Sequence, residues 1–129
     1  MPRLILLSGR KGTAAPANCG AALFLTLTDL PNPYSVPELK NLNGLTAEVQ
    51  KWLADSYEFE ERVLAALAAV QQMIAVNGRV ALVATCFGGK HRSVAFIEAV
   101  AERLHNTLPS STSLLVRHTE LNVRKELTP

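Results

Sequence analysis

The sequence predicts a single α/β domain, with a roughly four-stranded, mostly parallel or mixed sheet and helices packed on it. Three observations carry this. Short blocks of β-forming apolar residues alternate with longer stretches whose apolar residues recur at steps of three and four. One block, Val80-Ala81-Leu82-Val83-Ala84, is apolar without interruption, as in a strand covered on both faces, and so is expected to be central. Finally, no repeat, low-complexity tract or Gly/Ser/Pro-rich linker divides the 129 residues, so 1–129 reads as one domain.

Residues 3–7 form the first expected strand, entering the polar Ser8-Gly9-Arg10-Lys11. The second strand spans 22–28 and ends before Asp29 and the Leu30-Pro31-Asn32-Pro33-Tyr34 turn, where two prolines fix the backbone. A short helix is expected over 46–54 with Thr46 as N-cap. A long one over 57–76 places Phe59, Val63, Leu67, Val70 and Ile74 on one stripe and stops at Asn77-Gly78. Asp55, Glu58, Glu60 and Glu61 sit at its start, where carboxylates favour the helix dipole. The third strand covers 79–85. A helix from about 92 to 105 follows, with Val94, Ile97, Ala101 and Leu104 inward. The fourth strand is 113–116, and residues 119–127 are expected to form a terminal helix.

Thirteen Lys and Arg against eleven Asp and Glu give a formal charge of +2, too small to mark a nucleic-acid binder by itself. The charge is uneven. Residues 1–78 hold six basic and seven acidic side chains, whereas 79–129 hold seven and four, so anion recognition is expected in the C-terminal third. Aromatics at 5% argue against a base-stacking surface. Cys19 and Cys86 are too few for a disulfide framework, and no His/Cys/carboxylate spacing suits a metal. No resident cofactor is expected. The longest apolar block, 63–70, is far short of the roughly 20 residues of a membrane helix, so no membrane partner is expected and a cytoplasmic location is.

The segment between the third strand and its helix, Thr85-Cys86-Phe87-Gly88-Gly89-Lys90-His91-Arg92-Ser93, has the composition of an anion cradle. Adjacent glycines bring backbone N–H groups close to a ligand, and a helix N-terminus favours negative charge. Lys90 and Arg92 add charge, Arg92 as a two-oxygen clamp, while His91 and Ser93 add hydrogen bonds. The same loop spells Cys-x5-Arg-Ser, which admits a cysteine-dependent phosphatase with Cys86 as nucleophile and Arg92 as clamp. Asp29 or Asp55 would then be the general acid. A plain helix-capping turn with a structural cysteine is the bland counterpart.

Three ordered segments resemble the C-terminal domain of RapZ, the bacterial RNase adapter protein. They are Leu30-Pro31-Asn32-Pro33-Tyr34 with Val36-Pro37-Glu38-Leu39 and Leu42-Asn43-Gly44-Leu45; Gly88 to Val94; and Arg117-His118-Thr119-Glu120-Leu121 with Arg124-Lys125. The resemblance spans about residues 4–126, and the family's kinase-like nucleotide-binding half is absent. It implies a non-enzymatic regulatory module that binds a phosphorylated metabolite resembling an amino-sugar phosphate. Gly88, Gly89, Lys90, His91, Arg92 and Ser93 would hold the phosphate, with Asn32 and Tyr34 beside it. It further implies a small regulatory RNA, met by Lys11, Arg117, His118, Arg124 and Lys125, an RNase partner, and a homodimer. Thr26, Thr28, Tyr34 and Phe87 depart from the family pattern, so the anion site is expected to persist while the particular sugar is not.

Overall fold

In the computed structural model, which describes residues 2–109 and 111–127, five strands form one sheet in the order β2-β3-β1-β4-β5. Strands β1 (Arg3–Arg10), β2 (Ala21–Thr26), β3 (Arg79–Cys86) and β4 (Ser113–His118) run parallel, and β5 (Val123–Leu127) is antiparallel to β4. The fold is thus the expected α/β domain with a mixed sheet, but with one more strand. β3 is interior as expected, although the middle of the sheet is β1, whose Leu4 to Gly9 are all buried.

The extra strand replaces the terminal helix expected over 119–127. Asn122 takes a left-handed φ of 53° and reverses the chain, so that Val123–Leu127 pairs with the open edge of β4, Lys125 against Val116 and Arg124 against Arg117. Its alternating burial, with Val123, Lys125 and Leu127 half-buried and Arg124 and Glu126 exposed, is a period of two. Unsatisfied N–H and C=O groups on the β4 edge outweighed the helix propensity of Arg, Lys, Glu and Leu.

Helices α1 (Ala47–Ala54), α2 (Tyr57–Asn77) and α3 (Arg92–Thr107) follow the expected positions. Thr46 and Ser56 cap α1 and α2 through their hydroxyls, and Gly78 at φ 71° ends α2. All three pack on one face of the sheet, where Leu4, Leu6, Val80, Leu82, Leu114 and Val116 meet Phe59, Val63, Phe96, Ile97 and Leu104. Phe59 and Phe96 stack edge to face at 5.9 Å.

Handedness explains this one-sidedness. The β2-to-β3 and β3-to-β4 crossovers advance across the sheet in the same direction, so right-handed connections put their helices on the same face. The β1-to-β2 connection runs the other way and must pass behind. It does so without a helix. Its Cys19 packs on a small second cluster, Ile5, Ala81 and Leu115, on the helix-free face. Consequently the chain leaving β1 turns to the back and the chain leaving β3 turns to the front. Their carboxyl ends therefore open a crevice at a topological switch point, where ligands of open α/β sheets bind.

Candidate anion-binding site

That crevice is a cavity of about 660 Å³ lined by Arg10 from β1, by Cys86, Phe87, Gly88 and Lys90 to Arg92 from the β3–α3 loop, by Asn32, Tyr34 and Lys40 to Leu42, and by Glu120. The loop rests on the end of β1. Gly89 holds a φ of 70°, and a Cβ there would lie 2.7 Å from the Arg10 nitrogen and 2.8 Å from the Gly9 carbonyl carbon, so only glycine lets the loop touch the end of β1. Gly88 is exposed with open space beside it.

On the far side the Asn43-Gly44 turn grips the start of α3. The Gly44 N–H donates to the Lys90 carbonyl at 2.8 Å, and a Cβ on Gly44 would sit 2.5 Å from both the His91 oxygen and the Ala95 nitrogen. Within the Leu42-Asn43-Gly44-Leu45 motif, Gly44 is thereby a steric requirement of the contact with α3. His91 is the N-cap of α3, yet its side chain makes no capping bond. Its Nε2 is buried and has no hydrogen-bond partner among the described residues. A helix start without a capping oxygen, next to an unpartnered imidazole nitrogen, offers donors to an anion.

Cations surround this point. Lys40 lies 4.9 Å over the Tyr34 ring, which meets the His91 ring at 6.5 Å, so Tyr34 sits between two basic groups of the cavity lining. Asn32 caps the Pro33–Ser35 turn, its Oδ1 accepting from the Tyr34 N–H at 3.1 Å. Among the described residues Glu120 is the one carboxylate lining the cavity, and it stands 3.7 Å from the Arg10 Nε. Lys40 and Glu120 were not singled out from sequence as ligand contacts, and Arg10 was not expected in this cleft. Arg10 could have been, because it ends a strand whose last residue faces the switch point.

Arg92 lines the cavity and is fastened along one edge of its guanidinium. It is 3% exposed, and its Nη1 donates to the carbonyls of Thr28 at 2.9 Å and Leu30 at 3.1 Å. The guanidinium fastens the segment before Pro31 to α3, while its Nε stays unpartnered among the described residues. Cys86 is 2% exposed, with its Sγ 3.3 Å from the Ser93 hydroxyl and accepting from the Ser93 N–H at 3.4 Å. Ser93 is fully buried, so it supports the loop from behind. Asp29 is exposed and paired with Arg62 on α2, and neither Asp29 nor Asp55 lines the cavity. The phosphatase arrangement therefore lacks its expected acid, while the Nε edge of the Arg92 guanidinium stays without a partner among the described residues.

The basic C-terminal residues do not share a surface. His118, expected to face an anion, is fully buried. Its Nδ1 lies 2.6 Å from the Ser8 hydroxyl and its Nε2 2.8 Å from Glu98 Oε2, while Glu98 Oε1 meets Lys125 Nζ at 2.6 Å. An ionised carboxylate only accepts, so Nε2 carries a proton toward Glu98, and Nδ1 shares a hydrogen bond with the Ser8 hydroxyl. The order Ser8–His118–Glu98 matches that of a hydrolase triad, but Ser8 has no exposure and no substrate reaches it. The chain instead ties β1, β4, α3 and β5 together. Lys125 is thus committed on the helical side, whereas Arg117 and Arg124 lie on the opposite face; Lys11 is exposed just past β1.

Burial alone would raise the pKa of Glu98, but the hydrogen bonds and charges of His118 and Lys125 outweigh it and hold the carboxyl below its ordinary 4.5. A depressed carboxyl contributes stability above its unfolded pKa and loses it as pH falls through the folded one. The wild type is expected to be more stable than Glu98→Gln at pH 7, with the gap shrinking below about pH 4.5. Urea unfolding of both proteins across that range checks it; a gap that is constant with pH contradicts it.

A larger groove of about 780 Å³ runs beside α1, α3 and β5. Its walls include Ala47, Ala54, Ala95 and Ala99, and its cations Arg103 and Lys125 already pair with Glu60 and Glu98. Among the described residues no group of three His, Cys, Asp or Glu could hold a metal ion, and no helix is long and apolar enough to cross a membrane.

Comparison with known proteins identifies the family. The family model of the RapZ C-terminal domain matches residues 10–122, which include the whole cavity lining. A nucleotide-binding protein of Saccharopolyspora erythraea is 37% identical over 93 residues, covering 65% of this chain and 30% of its own length. Similar proteins of Syntrophobacter fumaroxidans and Anaeromyxobacter dehalogenans are 36% and 38% identical, each over 67% of this chain and about a third of their own. The chain spans about a third of the length of these curated relatives. With the match extending from the end of β1 through the turn before β5, the chain belongs to the RapZ C-terminal domain family.

Proposed function

We propose that the domain is a non-catalytic binding module that takes a phosphorylated small molecule in the switch-point cleft. The observation that carries this is the uncapped start of α3, with the buried and unpartnered His91 Nε2 beside it, at a cavity whose lining includes Lys40, Lys90 and Arg10. The phosphate sits on the Gly88–Lys90 backbone and the first α3 amides, with Lys90 and His91 as side-chain contacts. Glu120 and Asn32 lie within the same cleft and can accept from or donate to hydroxyl or amino groups of the ligand body. A sugar phosphate, amino-substituted or not, has that distribution of charge and hydroxyls. Family membership and relatives described as nucleotide-binding proteins are consistent with a phosphorylated ligand. The RNA half of the resemblance draws less support, because His118 and Lys125 are bound up in the buried chain.

Calorimetric titration with orthophosphate, hexose phosphates, amino-sugar phosphates and nucleotides tests this reading. The tightest of them is expected to bind Lys90→Gln at least tenfold more weakly than wild type, with an unchanged melting temperature, since Lys90 is exposed and its side chain is not part of the core. Equal binding by both proteins, or none by either, rejects the site. Hydrolysis of an aryl phosphate that disappears in Cys86→Ser would replace this reading with the phosphatase.

A further inference from the structure

The helix-free face of the sheet carries an arrangement that folding alone does not explain. Arg3 on β1 is in register with Arg79 on β3, and Arg117 on β4 is directly paired with Arg124 on β5. Like charges on neighbouring strands destabilise a sheet, yet this face holds two such pairs. All four side chains are exposed, and all four line one cavity of about 260 Å³. Its floor is Ile5 and Leu115, and its rim is the backward-passing connection at Pro16, Ala17, Asn18 and Cys19. Among the described residues Arg3, Arg79 and Arg117 make no ion pair. Arg124 reaches only the exposed Glu126 on the same strand, at 3.5 Å, a contact worth little in solvent.

We propose that this cleft is a second anion site, independent of the switch-point cleft, and that it takes a compact oligoanion bearing at least two phosphate or carboxylate groups. Planar guanidinium forks match both kinds of oxyanion. Arg3 is in register with Ser113, four residues before Arg117, so the two arginine pairs are about 13 Å apart along the strands at their backbones. Long side chains reaching toward each other over the apolar floor meet a ligand whose anionic groups are a few ångströms apart. A single orthophosphate can engage only one pair. The cavity admits a molecule of the size of tripolyphosphate or citrate and excludes a folded macromolecule.

Titration with tripolyphosphate and citrate separates the phosphate and carboxylate sources, with orthophosphate as the singly branched control. One of the two oligoanions is expected to bind wild type and Lys90→Gln equally, and the Arg3→Gln/Arg79→Gln double variant at least tenfold more weakly. The half-buried Cys19 at the rim provides a local readout, because Cys86 is buried. Bound oligoanion is expected to slow alkylation of Cys19 by the neutral reagent N-ethylmaleimide in wild type but not in the double variant. Without ligand the double variant, and Arg79→Gln alone, are expected to melt at or above the wild-type temperature, since repulsion has been removed. Oligoanion binding that survives in the double variant but is lost in Lys90→Gln would overturn the proposal. So would Cys19 labelling that ignores the ligand, or a face that binds RNA and neither oligoanion.

Discussion

The Arg92→Ala variant is expected to lose about 3 kcal/mol of stability, the cost of deleting a buried charged group that satisfies two distant carbonyls. For a domain of this size that is a drop of roughly 10 °C in melting temperature. The reason lies in what Arg92 joins. Its Nη1 links the first turn of α3 to Thr28 and Leu30, more than sixty residues away in sequence. Without it those carbonyls lose their donor, and Asn32 and Tyr34, which the prolines hold just beyond, lose the anchor of the cleft wall. Ligand affinity is therefore expected to fall together with stability. Lys90→Gln separates the two effects by weakening binding alone. Arg92→Lys is expected to fall between, since one ammonium on a flexible stem lacks the planar fork. If Arg92→Ala melts with the wild type and only binding suffers, Arg92 is a ligand contact and not the fastening described.

Removing the imidazole of His118 is expected to be at least as costly, about 3–4 kcal/mol by denaturant midpoint. The ring is wholly enclosed, so His118→Ala leaves a cavity. It also strips the Ser8 hydroxyl and Glu98 Oε2 of their partner, and a buried polar group without a partner costs more than the bond it lost. His118→Phe fills the volume but restores neither hydrogen bond, and is expected to recover only part of the loss. Stability equal to wild type in both variants would show that the Ser8–His118–Glu98–Lys125 chain holds nothing together.

Elements whose signals are local were legible in the sequence. The four-residue stripe of α2, the Thr46 cap and the Gly78 stop depend on neighbours along the chain, and each is where the spacing put it. The helix over 119–127 failed because the deciding partner, the edge of β4, is defined only by the sheet. In the cleft, Gly88 to Arg92 were readable because one strand–loop–helix unit supplies them. Arg10, Lys40 and Glu120 come from three other segments that meet only through topology. The burial of His118 was hidden for the same reason: Ser8, 110 residues earlier, and Glu98, 20 residues earlier, reveal themselves as its partners only when β1, β4 and α3 converge.

The passage from β1 to β2 without a helix has a consequence for how such a domain diverges. On the front, each inward side chain is hemmed in by three helices, and a change there must be answered by another nearby. On the back, the packed cluster among the described residues is Ile5, Ala81 and Leu115 with Cys19 against it, bordered by the exposed Arg3, Arg79, Arg117 and Arg124. Substitution there meets little resistance from packing. Lineages that keep the front framework can rewrite the back surface almost freely, so the chemistry of that face is where relatives of this domain should differ most.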